Sequence, residues 1–372
     1  MSSTSAATTA HFSGSYRQED VEFLLTPMAL EPIRDLAEKE RLIQSGQRHY
    51  SEMLSPESLP SPAYLALFRS AFAANRLQMA RDCLRLAALI AARREGAITL
   101  VSLARAGTPV GVILKHLLSQ VFQRECSHYS VSIIRDRGID TNAIKHILTH
   151  GHAADSIVFV DGWTGKGVIS RELRQTVSDY NAQHGTSIDG GLFVLSDLAG
   201  TAACAASSND YLIPSSILNA TVSGLVSRSV LNEMIGPDDF HGCVYYAQFE
   251  AHDQSRQFAD GLVADAIAIA GSSGIPLAVA TDAPAMAARS QAYMAQAQND
   301  YGISDINLIK PGIGEATRVL LRRVPERLIV RDTNAPDVAH LLLLAQEKAI
   351  PVTVQPALPY QAVALIRSAV DG

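Results

Sequence analysis

"SIVFVDGWTGKG", Ser156 to Gly167, carries the pattern from which the fold of this chain is read. Four apolar residues end in an acid, and the chain then turns through Thr-Gly-Lys-Gly. The run Ile157–Val160 predicts a strand buried on both faces, of the kind that sits inside a parallel sheet. The following "VISRELRQTVSDYNAQ" predicts a helix, and "GGLFVLSDLAG" predicts the next strand and its loop. Upstream, "AITLVSLARAG" and "TPVGVILKHLLSQVF" repeat the strand-then-helix order, with Pro109 near the helix start. "HYSVSII" reads as a third strand and "NAIKHILTHG" as its helix. Strands alternating with helices predict a parallel sheet covered on both faces, with ligands held beyond the carboxyl ends of the strands. The segments Arg105–Thr108, Asp161–Gly167 and Ser196–Gly200 all fall at such ends.

Around this centre, residues 21–95 read as a helical N-terminal segment and 96–295 as the main α/β domain. Residues 300–372 form a second small α/β unit, and 1–20, rich in Ser, Thr and Ala, a disordered tail rather than a signal peptide. The chain has 372 residues, 47% of them hydrophobic and 18% charged, the composition of an ordinary globular protein. A net charge of −6 argues against a coat for nucleic acid along the whole chain. The four cysteines, Cys83, Cys126, Cys204 and Cys243, have no CxxC spacing, so neither a zinc ribbon nor a disulfide framework is expected. No apolar run reaches membrane-spanning length, and the expected location is cytoplasmic.

At the central loop, Gly162, Gly165 and Gly167 permit close approach of backbone to a ligand. N–H groups at the start of the next helix favour an anion, and Thr164 and Lys166 add a hydroxyl and a positive charge. Asp161 suits ribose hydroxyls or a metal-bound water. A Walker loop is excluded, because Val160 stands where its first glycine belongs and Gly167 where Ser or Thr would bind magnesium.

The segment resembles the phosphoribosyl-diphosphate loop of type I phosphoribosyltransferases, with Asp161 matching the first acid of that family's acidic pair and Gly162 replacing the second. "LVSLARAGTPVGVIL" is similar to the diphosphate loop of the same family, at Arg105, Ala106, Gly107 and Thr108. "RDRGID" stands where the family carries its mobile hood, with Arg135 and Arg137. The resemblance implies transfer between phosphoribosyl diphosphate and a base-like acceptor. Asp161, Arg105 and Lys166 would be the catalytic groups and Asp197 an acceptor contact. Mg²⁺ would be held through the substrate rather than by the protein alone. "SLARAGTPVG", "SIIRDRGID", "FVDGWTGKG" and "FHGCVYY" are together similar to the StiP-like group found with bacterial tellurite-resistance and stress gene clusters. Its members are described as phosphoribosyltransferase-like, and some carry a cysteine-protease label.

Two further stretches bear on function. "DDFHGCVYYAQFEAHDQSR" sets Cys243 near His241, His252, Asp238 and Asp239. A thiol beside an imidazole is the equipment of a cysteine nucleophile, while the apolar run after Cys243 predicts a core strand. "KPGIGEATRVLLRR" and the strands after it resemble the pelota-type RNA-binding domain, a three-layer α/β/α fold. Gly312 and Glu315 match its Gly-x-Asn-Glu motif and Gly314 replaces the Asn. The resemblance implies RNA contacts at Lys310, Gly312, Glu315, Arg318 and Arg322. The reading reached from the sequence is therefore a phosphoribosyltransferase-like enzyme joined to an RNA-binding domain. Its alternatives are a non-catalytic nucleotide sensor and a cysteine peptidase.

Overall fold

The computed structural model describes residues 11–279 and 282–367. The chain opens with two short strands, β1 (Glu22–Leu24) and β2 (Thr26–Pro27), then α1 (Leu36–Gln44) and the long α2 (Pro62–Ala91). The main domain follows: β3 (Ile98–Ala104), α3 (Thr108–Gln120), β4 (Cys126–Ile134), β5 (Gly138–Ile139), α4 (Thr141–Thr149), β6 (Ile157–Thr164), α5 (Val168–His184), β7 (Leu192–Asp197) and β8 (Cys204–Ser207). A stretch of short turns contains β9 (Gly242–Cys243) and leads into α6 (Ser255–Ser273) and α7 (Ala283–Tyr301). The last unit is β10 (Ile309–Pro311), α8 (Ile313–Arg322), β11 (Pro325–Val330), α9 (Ala339–Glu347), β12 (Val352–Val354) and β13 (Ala362–Ile366).

The main sheet runs β1-β4-β3-β6-β7-β8, parallel throughout, with β5 folding back antiparallel on β4. Side chains alternate between its faces, as a period of two requires. Leu100, Val158, Val160, Phe193 and Leu195 share one core with Leu84 and Ile90 of α2 and Ile113 and Leu117 of α3. Val101, Leu103, Phe159 and Val194 share the other with Ile144 and Ile147 of α4 and Leu173 and Val177 of α5. The helices begin where the chain supplies caps: Ser61 accepts from the N–H of Tyr64 ahead of α2, and Asp140 from Asn142 and Ala143 ahead of α4. The expected α/β architecture is thus the one present.

In the last unit the sheet order is β10-β13-β11-β12. Helices α8 and α9 pack together, and α7 lies against β10. Tyr360 donates its hydroxyl to Ser290 of α7 and stands edge-on to Tyr293 at 5.5 Å, so this unit draws on residues before 300.

Some expectations need correction. The segment 21–95 is not helical throughout: β1 adds to the edge of the main sheet, Glu22 opposite Tyr129, in a piece too short to show periodicity. Within the expected tail, residues 11–20 are packed, with Tyr16 and Asp20 buried, and residues 1–10 lie outside the described part. The central loop is shorter than expected. Pairing of β6 with β7 continues through Trp163–Ser196 and Thr164–Asp197, so Asp161 to Thr164 are strand and the turn begins at Gly165.

Candidate functional site

The carboxyl ends of β3 and β6 face helix α8 across a cleft of about 480 Å³, which adjoins a second hollow of about 280 Å³. Arg105 enters it from the β3–α3 turn, only 7% exposed. Its Nη1 donates to the Val226 carbonyl at 2.8 Å, and its Nη2 lies 3.6 Å from Glu57. Ala106 and Gly107 complete the tight turn; a Cβ on Gly107 would stand 2.7 Å from the Val160 carbonyl. Thr108 does not face the cleft, since its buried hydroxyl bonds Ser130 at 2.7 Å.

Asp161 lines the cleft. Burial pushes its carboxyl up to about 6, against the opposing pull of Arg318 and of the Gly162 N–H, which donates to it at 2.7 Å. Gly162 has open space where a Cβ would be, so sterics do not demand glycine there. Gly165 does need its small size, with the Pro311 carbonyl 2.9 Å from a built Cβ, and Gly167 starts α5 at φ +73°. Thr164 donates to Asp197, whose oxygens also accept from the N–H groups of Ala199 and Ala202. Asp197 is thereby a buried brace for its own loop, where an acceptor contact was expected. Lys166 reaches across to the last unit, donating to the carbonyls of Ile306 at 2.7 Å and Ile309 at 3.3 Å. Burial and then nearby Lys310 push its ammonium down to about 7.

The expected hood is a closed hairpin of β4 and β5. Arg135 lies over the Tyr50 ring at 5.1 Å and still lines the cleft. Arg137 is engaged elsewhere, with Glu52 at 2.6 Å and the Leu231 carbonyl at 3.0 Å.

The other wall belongs to the last unit. Asp210 Oδ1 accepts from the Ile313 N–H at 3.0 Å and its Oδ2 from the Gln361 N–H at 2.7 Å, so a carboxylate of the main domain caps the start of α8. Gly312, at φ +88°, lies against Leu198 and Asp210. Arg318 pairs with Glu315 at 2.6 Å and lies 4.6 Å from the centre of the Trp163 ring. Arg322 donates to Asn219 Oδ1. Lys310, Glu315, Arg318 and Arg322, expected to face RNA, therefore face the cleft instead. The sequence reading did not single out Lys39, Glu57, Asp210 and Arg228. A lone arginine in the small, apolar "TVSGLVSRSV" was the available signal for Arg228.

Cys243 lies apart from the cleft and is 0% exposed. Burial pushes its thiol up to about 12. Its strand β9 pairs with β2, with Met28 N–H donating to the Cys243 carbonyl at 2.8 Å. His241 bonds Ser132 Oγ through Nδ1 at 2.7 Å, and its backbone N–H donates to Asp140 at 2.7 Å. No hydrogen bond joins Cys243 to an imidazole among the described residues, and His252 is exposed. The "CVYY" run is a strand only at its first residue, continued by a single bridge from Val226 to Tyr245.

The architecture defines a two-unit α/β protein, a parallel-sheet domain closed over by a small C-terminal domain. Residues 14–263 match the family described as tellurite-like stress resistance cysteine protease StiP, and 288–368 match the PELOTA RNA binding domain. A protein of Acinetobacter baylyi (strain ATCC 33305 / BD413 / ADP1) named "Cysteine protease StiP" is 42% identical over 368 residues, covering 96% of this chain and 94% of that protein. The chain belongs to the StiP family. These findings overturn the expected phosphoribosyltransferase activity: the family and the relative are both named as cysteine proteases. Nothing in them supports phosphoribosyl diphosphate or Mg²⁺ as its ligands. No described helix is long and apolar enough to cross a membrane.

Proposed function

We propose that this chain is a cysteine peptidase, with Cys243 as nucleophile and His241 as its base. The class comes from the names of its family and of its relative. The observation that carries the residue assignment is the state of the imidazole two positions before Cys243. His241 is held through Nδ1 by Ser132, while its Nε2 makes no hydrogen bond among the described residues. The comparable pair on β4, Cys126 and His128, lacks this freedom, because the His128 ring is taken on both sides by the Asp20 carbonyl and Ser102. Burial lowers the pKa of His241 and keeps the imidazole available as a base, while Asp140, bonded to its backbone, opposes that shift.

In the reaction the Cys243 proton passes to His241 Nε2. The sulfur bonds the scissile carbonyl carbon, and the amine leaves with the proton returned by His241. Water then hydrolyses the thioester. A desolvated thiol supplies little thiolate, so the arrangement described is the resting one, and reaction requires β9 to part from β2. The test is hydrolysis of an unfolded protein substrate by the full chain. Cleavage lost in both Cys243→Ala and His241→Ala, and kept in Cys126→Ala, supports the assignment. Cleavage unchanged in Cys243→Ala overturns it.

For the C-terminal unit we propose contact with RNA, on the name of the domain it matches. The inward orientation of α8 means that such contact falls on its outer surfaces or follows opening of the cleft. Filter binding of structured RNA to the full chain tests it, with affinity falling as salt rises. No binding at low salt would make the unit an interaction module.

A further inference from the structure

The smaller hollow, about 280 Å³, is where α1, the turns around Arg228 and helix α8 converge. Among the residues lining it are Lys39, Arg105, Arg228, Lys310, Arg322 and Arg323. The carboxylates nearby are already committed: Glu57 to Arg105, Glu315 to Arg318 and Glu40 to Arg323. Lys39, Arg228, Lys310 and Arg322 have no carboxylate partner within salt-bridge distance among the described residues. Lys39 Nζ donates to the Ser55 hydroxyl at 2.6 Å, and Arg228 Nη2 to the carbonyls of Tyr50 and Met53. Lys310 Nζ has no hydrogen bond within the described protein. Two guanidinium nitrogens, Arg228 Nη1 and Arg322 Nε, are buried and have no hydrogen-bond partner among the described residues.

Buried, unpaired donors on charged groups are costly, and like charges held together add to that cost. Burial and crowding both act against the charged forms of the two ammoniums. Burial, then Arg228 and Arg323, pushes the Lys39 ammonium down to about 7, and burial pushes Lys310 down to about 8 against the pull of Glu315. Such a cluster is stable only if something else carries the opposing charge. Two guanidinium forks and two point-charge ammoniums, converging on a hollow of this size, match a compact ligand with several anionic oxygens.

We infer that this hollow is a binding site for a small molecule bearing a chain of two or more phosphate groups, held between Lys39 and Arg228 on one side and Lys310 and Arg322 on the other. The ligand bridges the two units and neutralises the seam between them. The site lies apart from Cys243, so the inference stands independently of the peptidase reading.

The test is calorimetric titration of the full chain with inorganic tripolyphosphate and, separately, with inorganic phosphate, accompanied by thermal unfolding. Tripolyphosphate should bind at least ten-fold more tightly than phosphate and raise the unfolding midpoint. Lys310→Gln and Arg322→Gln should each weaken it ten-fold or more. Arg76→Gln, which removes an ion pair with Asp265 outside the cleft, should leave it unchanged. Lys310 Nζ makes no hydrogen bond among the described residues, so its variant keeps the test informative if Arg322→Gln fails to fold. No tripolyphosphate binding at millimolar concentration overturns the inference. So does equal binding by Lys310→Gln. Binding of a single-stranded oligoribonucleotide without binding of tripolyphosphate also overturns it, by placing the ligand among nucleic acids.

Discussion

The indole of Trp163 fills the space in which a side chain at Gly314 would begin: a Cβ built on Gly314 would stand 2.3 Å from Trp163 Cε2. The glycine that breaks the Gly-x-Asn-Glu pattern is thus the one that lets the two units close on each other. Gly314→Asn should destabilise the chain by about 1–3 kcal/mol through overpacking, with part of the loss recovered in Trp163→Ala/Gly314→Asn. A double-mutant cycle from denaturant unfolding measures the coupling. Additive effects would mean that the two residues do not meet.

Asp161 provides a pH test. Its carboxyl is raised from an ordinary 3.8 to about 6, so the folded state binds its proton more tightly than the unfolded state does. Stability from this group is present below pH 4 and is lost as pH rises to 6. Removing the charge in Asp161→Asn should therefore stabilise the chain at pH 7.5, by at most about 3 kcal/mol at 1.36 kcal/mol per unit. It should do little at pH 4. Urea unfolding at the two pH values checks it, and an Asn variant less stable at pH 7.5 would contradict it.

Asp210 joins the units through two backbone N–H groups. Asp210→Ala leaves both donors unpaired and should cost about 2–4 kcal/mol, less than the sum of two charged hydrogen bonds at about 1.5–3 kcal/mol each, because burial, which raises the carboxyl to about 6, already makes its ionised form costly. Asp210→Asn keeps one acceptor oxygen and should cost less. Thermal unfolding of both variants at pH 7.5 orders them; the reverse order would remove Asp210 from this role.

The thiols offer a fourth handle. Cys83 and Cys243 are fully buried, and burial pushes Cys126 and Cys243 up to about 12. Iodoacetamide at neutral pH should label Cys243 in the resting protein far more slowly than a free thiol. Conditions that start peptide hydrolysis should accelerate labelling at that residue. Mass spectrometry of timed samples measures both, and hydrolysis without a change in Cys243 labelling would separate the thiol from the activity.

Much of the main domain was legible because its signals are local. The apolar runs at Ile98–Ala104, Ile157–Val160 and Leu192–Asp197, and the helices between them, announce a covered parallel sheet through composition and period alone. The resemblance to the StiP and pelota families rested on equally local wording and was shown. The activity was misjudged because similar strand-to-helix loops serve unrelated chemistries, and fold does not imply function.

By itself, the sequence determined the elements, their order, the family and the small residues at tight turns. Only the tertiary structure decided which charged groups meet. Lys39, Arg228 and Arg322 are separated by long stretches of chain and converge only when α8 docks on the sheet ends. That docking also turns the residues expected for RNA inward, while packing within the main domain hands Asp197 to its own loop and Arg137 to Glu52. Secondary structure follows from interactions a few residues apart, whereas burial, pairing and the competition of cations for a few carboxylates depend on packing between distant segments.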